Sequence, residues 1–234
     1  MTVNGLPMAI GINPEAIVDW SPAWTFIDLF QTSRPWISQV FNTETYSVSF
    51  DASQAPLLDL DDNGNVRSLK SFTRDGVPMR QFAATLMFRD VAADGGYPAG
   101  LYTAQWDGSG DVSFRFDARV VNTFDRGGHH FAELQVTPSS DGILLTIEST
   151  SASDPIRNIH LWMPDFQGQS FSERVWQPGS AFSPFHPLFL ERLAPFRTLR
   201  FMGMQETNSS DIVHWSDRRT PAAVRQSSGA GGTP

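Results

Sequence analysis

The chain has 234 residues, 40% of them hydrophobic and 18% charged, with a formal net charge of −8 and Lys70 as its single lysine. It carries no basic patch for a nucleic-acid backbone and no apolar run near the ~18 residues of a membrane helix. It contains no cysteine, which excludes disulfides, thiolate metal sites and cysteine nucleophiles.

Residues 1–15 show no basic region followed by an apolar stretch, so no signal peptide is expected there. From Ser21 the pattern turns helical. Ser21 can cap, Pro22 suits the first helical position, and Ala23, Phe26, Ile27 and Phe30 recur at helical spacing. Arg34-Pro35 closes the run. These signals predict a short helix over 22–32, plugging one end or face of a larger body.

From about Tyr46 to Met163 the segments are short, β-branched or aromatic: "YSVSF", "ATLMF", "LYTAQW", "VSFRFDARVV", "FAELQV", "ILLTIE" and "IRNIHLWM". Turn signals such as "DDNGN", "DGSGD", "DRGG" and "SSDG" separate them. This predicts an all-β fold, an antiparallel β-sandwich of jelly-roll-like form. In "VSFRFDARV" the residues Val112, Phe114, Phe116, Ala118 and Val120 alternate with Ser113, Arg115, Asp117 and Arg119. In "FAELQV", Ala132, Leu134 and Val136 read as core. In "IRNIHLWM", Ile159, Leu161 and Met163 read as core, leaving Asn158, His160 and Trp162 together on the wet face.

An aromatic, proline-punctuated loop follows over 164–184, then a short helix in "HPLFLERL" and an apolar strand in "TLRFM". The apolar residues of 185–202 are expected to pack on the sandwich. The divisions are a β-sandwich module with its N-terminal helix over 1–184, a helix-strand extension over 185–221, and a disordered tail over 222–234.

Several motifs have plain readings beside sharp ones. "DLDDNGNV" resembles a calcium loop, but the twelfth position is Lys70 where a bidentate carboxylate belongs; Asn63-Gly64 reads as a hairpin turn. His129 and His130 are strand neighbours facing opposite ways and cannot share one metal. Asn208-Ser209-Ser210 matches a glycosylation sequon. No nucleophile elbow, phosphate loop or dinucleotide fingerprint is present. The carboxylates Glu133, Glu148, Asp117 and Glu173 are candidates for a glycosidase pair or for solvated surface. No catalytic residue, metal ligand or cofactor is assigned.

The tryptophans carry most information. Trp20, Trp24, Trp36 and Trp176 lie in or beside loops and the first helix. Trp106 and Trp162 lie on strands and read either as packing or as a sugar-stacking platform. The binding candidates are Trp162 with Asn158 and His160, Gln135 and Glu133 from an adjoining strand, Trp106, and Tyr97 in the "GGYPAG" loop.

Three long stretches, "YPAGLYTAQWDGSGDVSF", "DPIRNIHLWMPDF" and "FHPLFLERLAPFRTLRFMGMQETNSSDIVHWSDRRTP", resemble the N-terminal region of large, poorly characterised bacterial proteins. In those a β-sandwich like a carbohydrate-binding module precedes a glycoside-hydrolase-like barrel. The resemblance covers about Gly11 to Pro234. It implies a polysaccharide or oligosaccharide partner, a downstream barrel domain begun by 185–221, and a secreted or cell-surface setting. The chain departs from the group after "LRFM", where Gly203 and Met204 stand in place of an Asp and a Trp. The expected function is non-catalytic carbohydrate binding. A contribution to a hydrolase cleft and a structural or interaction role are the alternatives.

Overall fold

The computed structural model describes residues 2–3, 6–7, 10–49, 55–91, 96–164, 183–208, 210 and 212–227, with backbone alone before residue 10. Short strands β1 (Thr2–Val3) and β2 (Leu6–Pro7) pair with each other, and β3 (Gly11–Ile12) follows. The next strands are β4 (Ile37–Asn42) and β5 (Ser47–Ser49), a separate hairpin of β6 (Asp59–Leu60) and β7 (Val66–Ser68), then β8 (Ser71–Arg74) and β9 (Val77–Met87). Strands β10 (Gly100–Asp107), β11 (Gly110–Phe116), β12 (Ala118–Arg126), β13 (His129–Val136), β14 (Ile143–Thr150) and β15 (Arg157–Trp162) complete the main body. Helix α1 (Pro187–Leu193) and strand β16 (Thr198–Leu199) follow, β16 pairing in parallel with β3.

The result is an all-β, sandwich-like fold. One antiparallel sheet has the order β12-β13-β10-β15; the other runs β11-β14-β9-β4-β5, with β8 paired to β9. Alternation explains the core. Tyr102, Ala104 and Trp106 of β10, Ala132, Leu134 and Val136 of β13, and Ile159 and Leu161 of β15 share one buried cluster with Ala83, Met87, Ile143, Leu145 and Ile147 of the facing sheet.

The stretch read as one strand, "VSFRFDARVV", is two. β11 belongs to one sheet and β12 to the other. The chain changes sheets at Phe116, which adopts φ +64°, so the alternation breaks and Phe116 and Val120 are exposed rather than core. Asp117 fixes this corner. Its carboxylate accepts from Ser139 N (2.7 Å), Ser139 Oγ (2.5 Å), Gly142 N (3.1 Å) and the Tyr97 hydroxyl. A Cβ at Gly142 would sit 2.5 Å from the Met87 carbonyl oxygen, so glycine is required at this approach.

The N-terminal helix contracts to one 3-10 turn, Leu29–Thr32, capped by Asp28. Before it the chain is paired as a strand would be: Phe26 bridges Phe185 and Asp28 bridges Trp162. Ile27 N donates to the Pro184 carbonyl at 3.0 Å and Met163 N to the Ile27 carbonyl at 3.1 Å. The apolar stripe therefore divides. Phe30 enters the main core, while Ala23 and Phe26 join a second cluster with Ile17, Phe189 and Met204. Tertiary hydrogen bonding outweighs local helical spacing here.

Helix α1 begins at a capping His186, whose Nδ1 accepts from Leu188 N at 3.2 Å. Its imidazole is buried and meets the Trp24 ring edge-on at 5.4 Å. Burial, aided by the charge of Arg192, pushes His186 down to about 4. Phe185 stacks on Phe26 at 5.5 Å, so α1 packs on the N-terminal segment. Leu199 and Phe201, expected to be buried, are exposed, and the "TLRFM" strand is two residues long.

The tail expected to be disordered from 222 is anchored through 227. Val224 N donates to the Asn63 carbonyl (2.8 Å) and Gln226 N to the Gln31 carbonyl (2.9 Å). Ser227 Oγ donates to the Ser33 carbonyl and is buried, while Val224 packs against the main core. Its small polar residues read as solvated because backbone anchoring leaves no trace in composition. Residues 228–234 lie outside the described residues.

Two outcomes follow. A chain ending at Pro221 is expected to lose about 2 kcal/mol in urea unfolding, from one part-buried apolar side chain and three hydrogen bonds; an unchanged midpoint would refute the anchoring. For His186, the folded state resists protonation between pH 6.5 and about 4 while the unfolded chain accepts it. Stability should fall with acidification across that window, by at most about 1.4 kcal/mol per pH unit. His186→Asn, which keeps a capping acceptor, should flatten this part of the profile; equal slopes for both proteins count against it.

Candidate functional site

The outer face of the four-stranded sheet gathers most of the candidate residues. Tyr102, Ala104 and Trp106 point inward along β10, so Leu101, Thr103 and Gln105 point outward. Register then aligns two rows across the sheet. In the first, Thr103 lies between Trp162 and Glu133, and Glu133 lies opposite Asn122, whose Nδ2 donates to Glu133 Oε2 at 3.1 Å. In the second, Gln105 lies between His160 and Phe131, with Phe124 beyond. Phe124 stacks on Phe131 at 5.0 Å with an interplanar angle of 5°, and Arg126 sits over Phe131 at 5.2 Å. Gln135 is exposed opposite Leu101 and Arg119.

The end of this face holds a polar knot. A register shift between Gln105 and Asp107 accompanies Asn158 at φ +50°. Asn158 Nδ2 donates to Asp107 Oδ2 at 2.6 Å, and His129 Nδ1 meets the other Asp107 oxygen. His130 turns to Asp125, at 2.7 Å. Among the described residues, no three His, Asp or Glu side chains are arranged to hold a metal ion. The Asp61 loop is a turn: its Oδ1 accepts from Asn63 N (2.9 Å) and Asn65 N (2.8 Å).

Sequence reasoning missed Asp28. It is buried, and its carboxylate accepts from Phe30 N (3.2 Å), Gln31 Nε2 (3.1 Å) and Leu161 N (2.9 Å). His160 Nδ1 lies 2.8 Å from its second oxygen. A lone Asp within "WTFIDLF" was the available signal, since a buried carboxylate must have partners.

The three aromatic candidates are not open platforms. Trp106 is 9% exposed and packs in the core against Phe114 at 6.4 Å, because its strand position faces inward with Tyr102 and Ala104. Tyr97 is 2% exposed, stacked on Phe88 at 4.5 Å, and donates its hydroxyl to Asp117; burial and that carboxylate raise its pKa. Trp162 stands on the outer face as alternation requires, yet it is 4% exposed. Its backbone bridges Asp28 and its ring stacks on His160 at 5.0 Å. The expectation of a wet Trp162 fails: its backbone pairs with the N-terminal segment and one side of its ring is taken by His160.

The carboxylates do not converge. Glu148 projects from the outer face of the six-stranded sheet, bonded to Ser113 Oγ (2.6 Å) and Arg115 (3.1 Å). Glu133 projects from the opposite outer face, and the Asp117 oxygens are committed to the corner. Glu133 and Glu148 therefore cannot flank one glycosidic bond. Glu173 and Trp176 lie outside the described residues, as does Ser209 of the sequon. A cavity of about 10 Å³ near Ile17, Trp24, Phe26 and Leu29 has room for roughly one water.

No family model, curated protein or solved structure matches this chain. No helix among the described residues is long and apolar enough to cross a membrane.

Burial opposes charge on His160, but Asp28, with a further contribution from Asp107, outweighs it and raises the imidazole above 6.5. A raised folded value gives stability that is full below the unfolded value and is lost as pH rises through the folded one. Unfolding midpoints should therefore drop as pH rises above about 6.5, and His160→Gln should remove that drop. A drop of equal size in the variant would assign it to other groups.

Proposed function

We propose that this chain is a non-catalytic module that binds an oligosaccharide or polysaccharide across the outer face of the four-stranded sheet. The observation that carries this is the paired rows, Trp162–Thr103–Glu133–Asn122 and His160–Gln105–Phe131–Phe124. A sugar presents hydroxyls that both donate and accept at close spacing. Gln105, Asn122 and His160 supply both kinds of group, Glu133 supplies acceptors, and the part-exposed Phe124 ring supplies an apolar surface. The reading rests on hydrogen bonding more than on indole stacking. A place within a larger carbohydrate-active protein, with residues 185–221 leading toward a barrel domain, is part of the same proposal.

The second reading is a structural or interaction sandwich. The burial of Trp106, Trp162 and Tyr97 favours it, because these rings hold the chain together and offer no flat surface.

A glycan array with the full chain separates the two. The binding reading expects a hit that Gln105→Ala and Glu133→Gln each weaken by about 1 kcal/mol without loss of stability. Trp162→Ala should instead lower stability by about 3 kcal/mol. An array without hits, or variants that bind as the parent does, leaves the interaction reading standing.

A further inference from the structure

Arg219 and Arg225, in the C-terminal segment, have no anionic partner among the described residues. Arg225 lies between Val224 and Gln226, whose backbone amides are held at 2.8 and 2.9 Å by the carbonyls of Asn63 and Gln31. The side chain thus starts from a fixed point. Its Nε is buried and has no hydrogen-bond acceptor among the described residues. Arg219 donates to the neutral carbonyl of Ser227. Neither arginine forms an ion pair among the described residues.

The charge of Arg219 also acts on Arg225. Burial, then the charge of Arg219, pushes Arg225 down to about 10, and Glu206 acts on Arg219 without pairing to it. In a chain with a net charge of −8, carboxylates are abundant, yet none of the described ones is placed on Arg225. A buried N–H donor without an acceptor calls for an unseen partner, and guanidinium forks fit oxyanions.

We propose that Arg219 and Arg225 form a binding site for a small oxyanion, a carboxylate or phosphate group, with the buried Nε–H of Arg225 among its donors. This site is independent of the proposed sugar face.

The test is calorimetric titration of the full chain with inorganic phosphate and, separately, with acetate at constant ionic strength, while the arginine Nε–H resonances are followed by NMR. Saturable binding of one anion, with the Arg225 Nε–H signal shifting, is expected; the tighter anion identifies the group. Arg225→Gln should weaken binding by about tenfold or more, the scale of a charge-assisted hydrogen bond. Arg219→Gln should weaken it as well and serves if the first variant fails to fold. Absence of saturable binding by either anion, or unchanged affinity in the folded variants, overturns the proposal.

Discussion

The Asp28 carboxylate lies buried at the edge of strand β15, where the amides of Phe30 and Leu161, the Gln31 side chain and the His160 imidazole all converge on it. A buried charge is tolerated only when its lone pairs are used, and here they are. The consequence is architectural. Asp28 caps the turn that follows it and fixes the backbone before it against Trp162, so the N-terminal segment extends the four-stranded sheet. That segment in turn receives Phe185, α1 and Gln226. The electrostatics of one side chain thus set where both ends of the chain can lie.

A second committed carboxylate governs the other side of the sandwich. Asp117 gathers Tyr97, Ser139 and Gly142 at the point where the chain passes between sheets. Asp28 and Asp117 share a logic: each is short, each binds backbone amides, and each lies where a regular element stops. Neither is free for binding at the proposed sugar face, where Glu133 and Gln105 lie.

Much of the sandwich was legible because burial writes itself into alternation. Ala132, Leu134, Val136, Ile159 and Leu161 all face the core as their spacing required. The failures have physical causes of two kinds. Helical spacing at Ala23, Phe26, Ile27 and Phe30 was real, but Phe30 enters one core while Ala23 and Phe26 pack on another, because Phe26 and Asp28 pair with Phe185 and Trp162, partners that lie far along the chain. Strand alternation through Phe116 was also real, but a positive φ redirects everything after it. The candidate face was legible as a set, since Glu133, Gln135, His160 and Trp162 do share it. The exposure of Trp162 was not, because periodicity tells which side a residue takes and nothing of what lies on top.

The hydrogen bond from Ser227 to the Ser33 carbonyl joins residues 194 positions apart. During synthesis from the N-terminus, the sandwich strands emerge and can pair long before Ser227 leaves the ribosome. The loop closed by that bond spans most of the chain, so closing it is entropically costly and comes late. Nascent chains can therefore fasten the N-terminal segment first through Asp28 and Trp162, and the bond from Ser227 adds a second fastening at Ser33 only later.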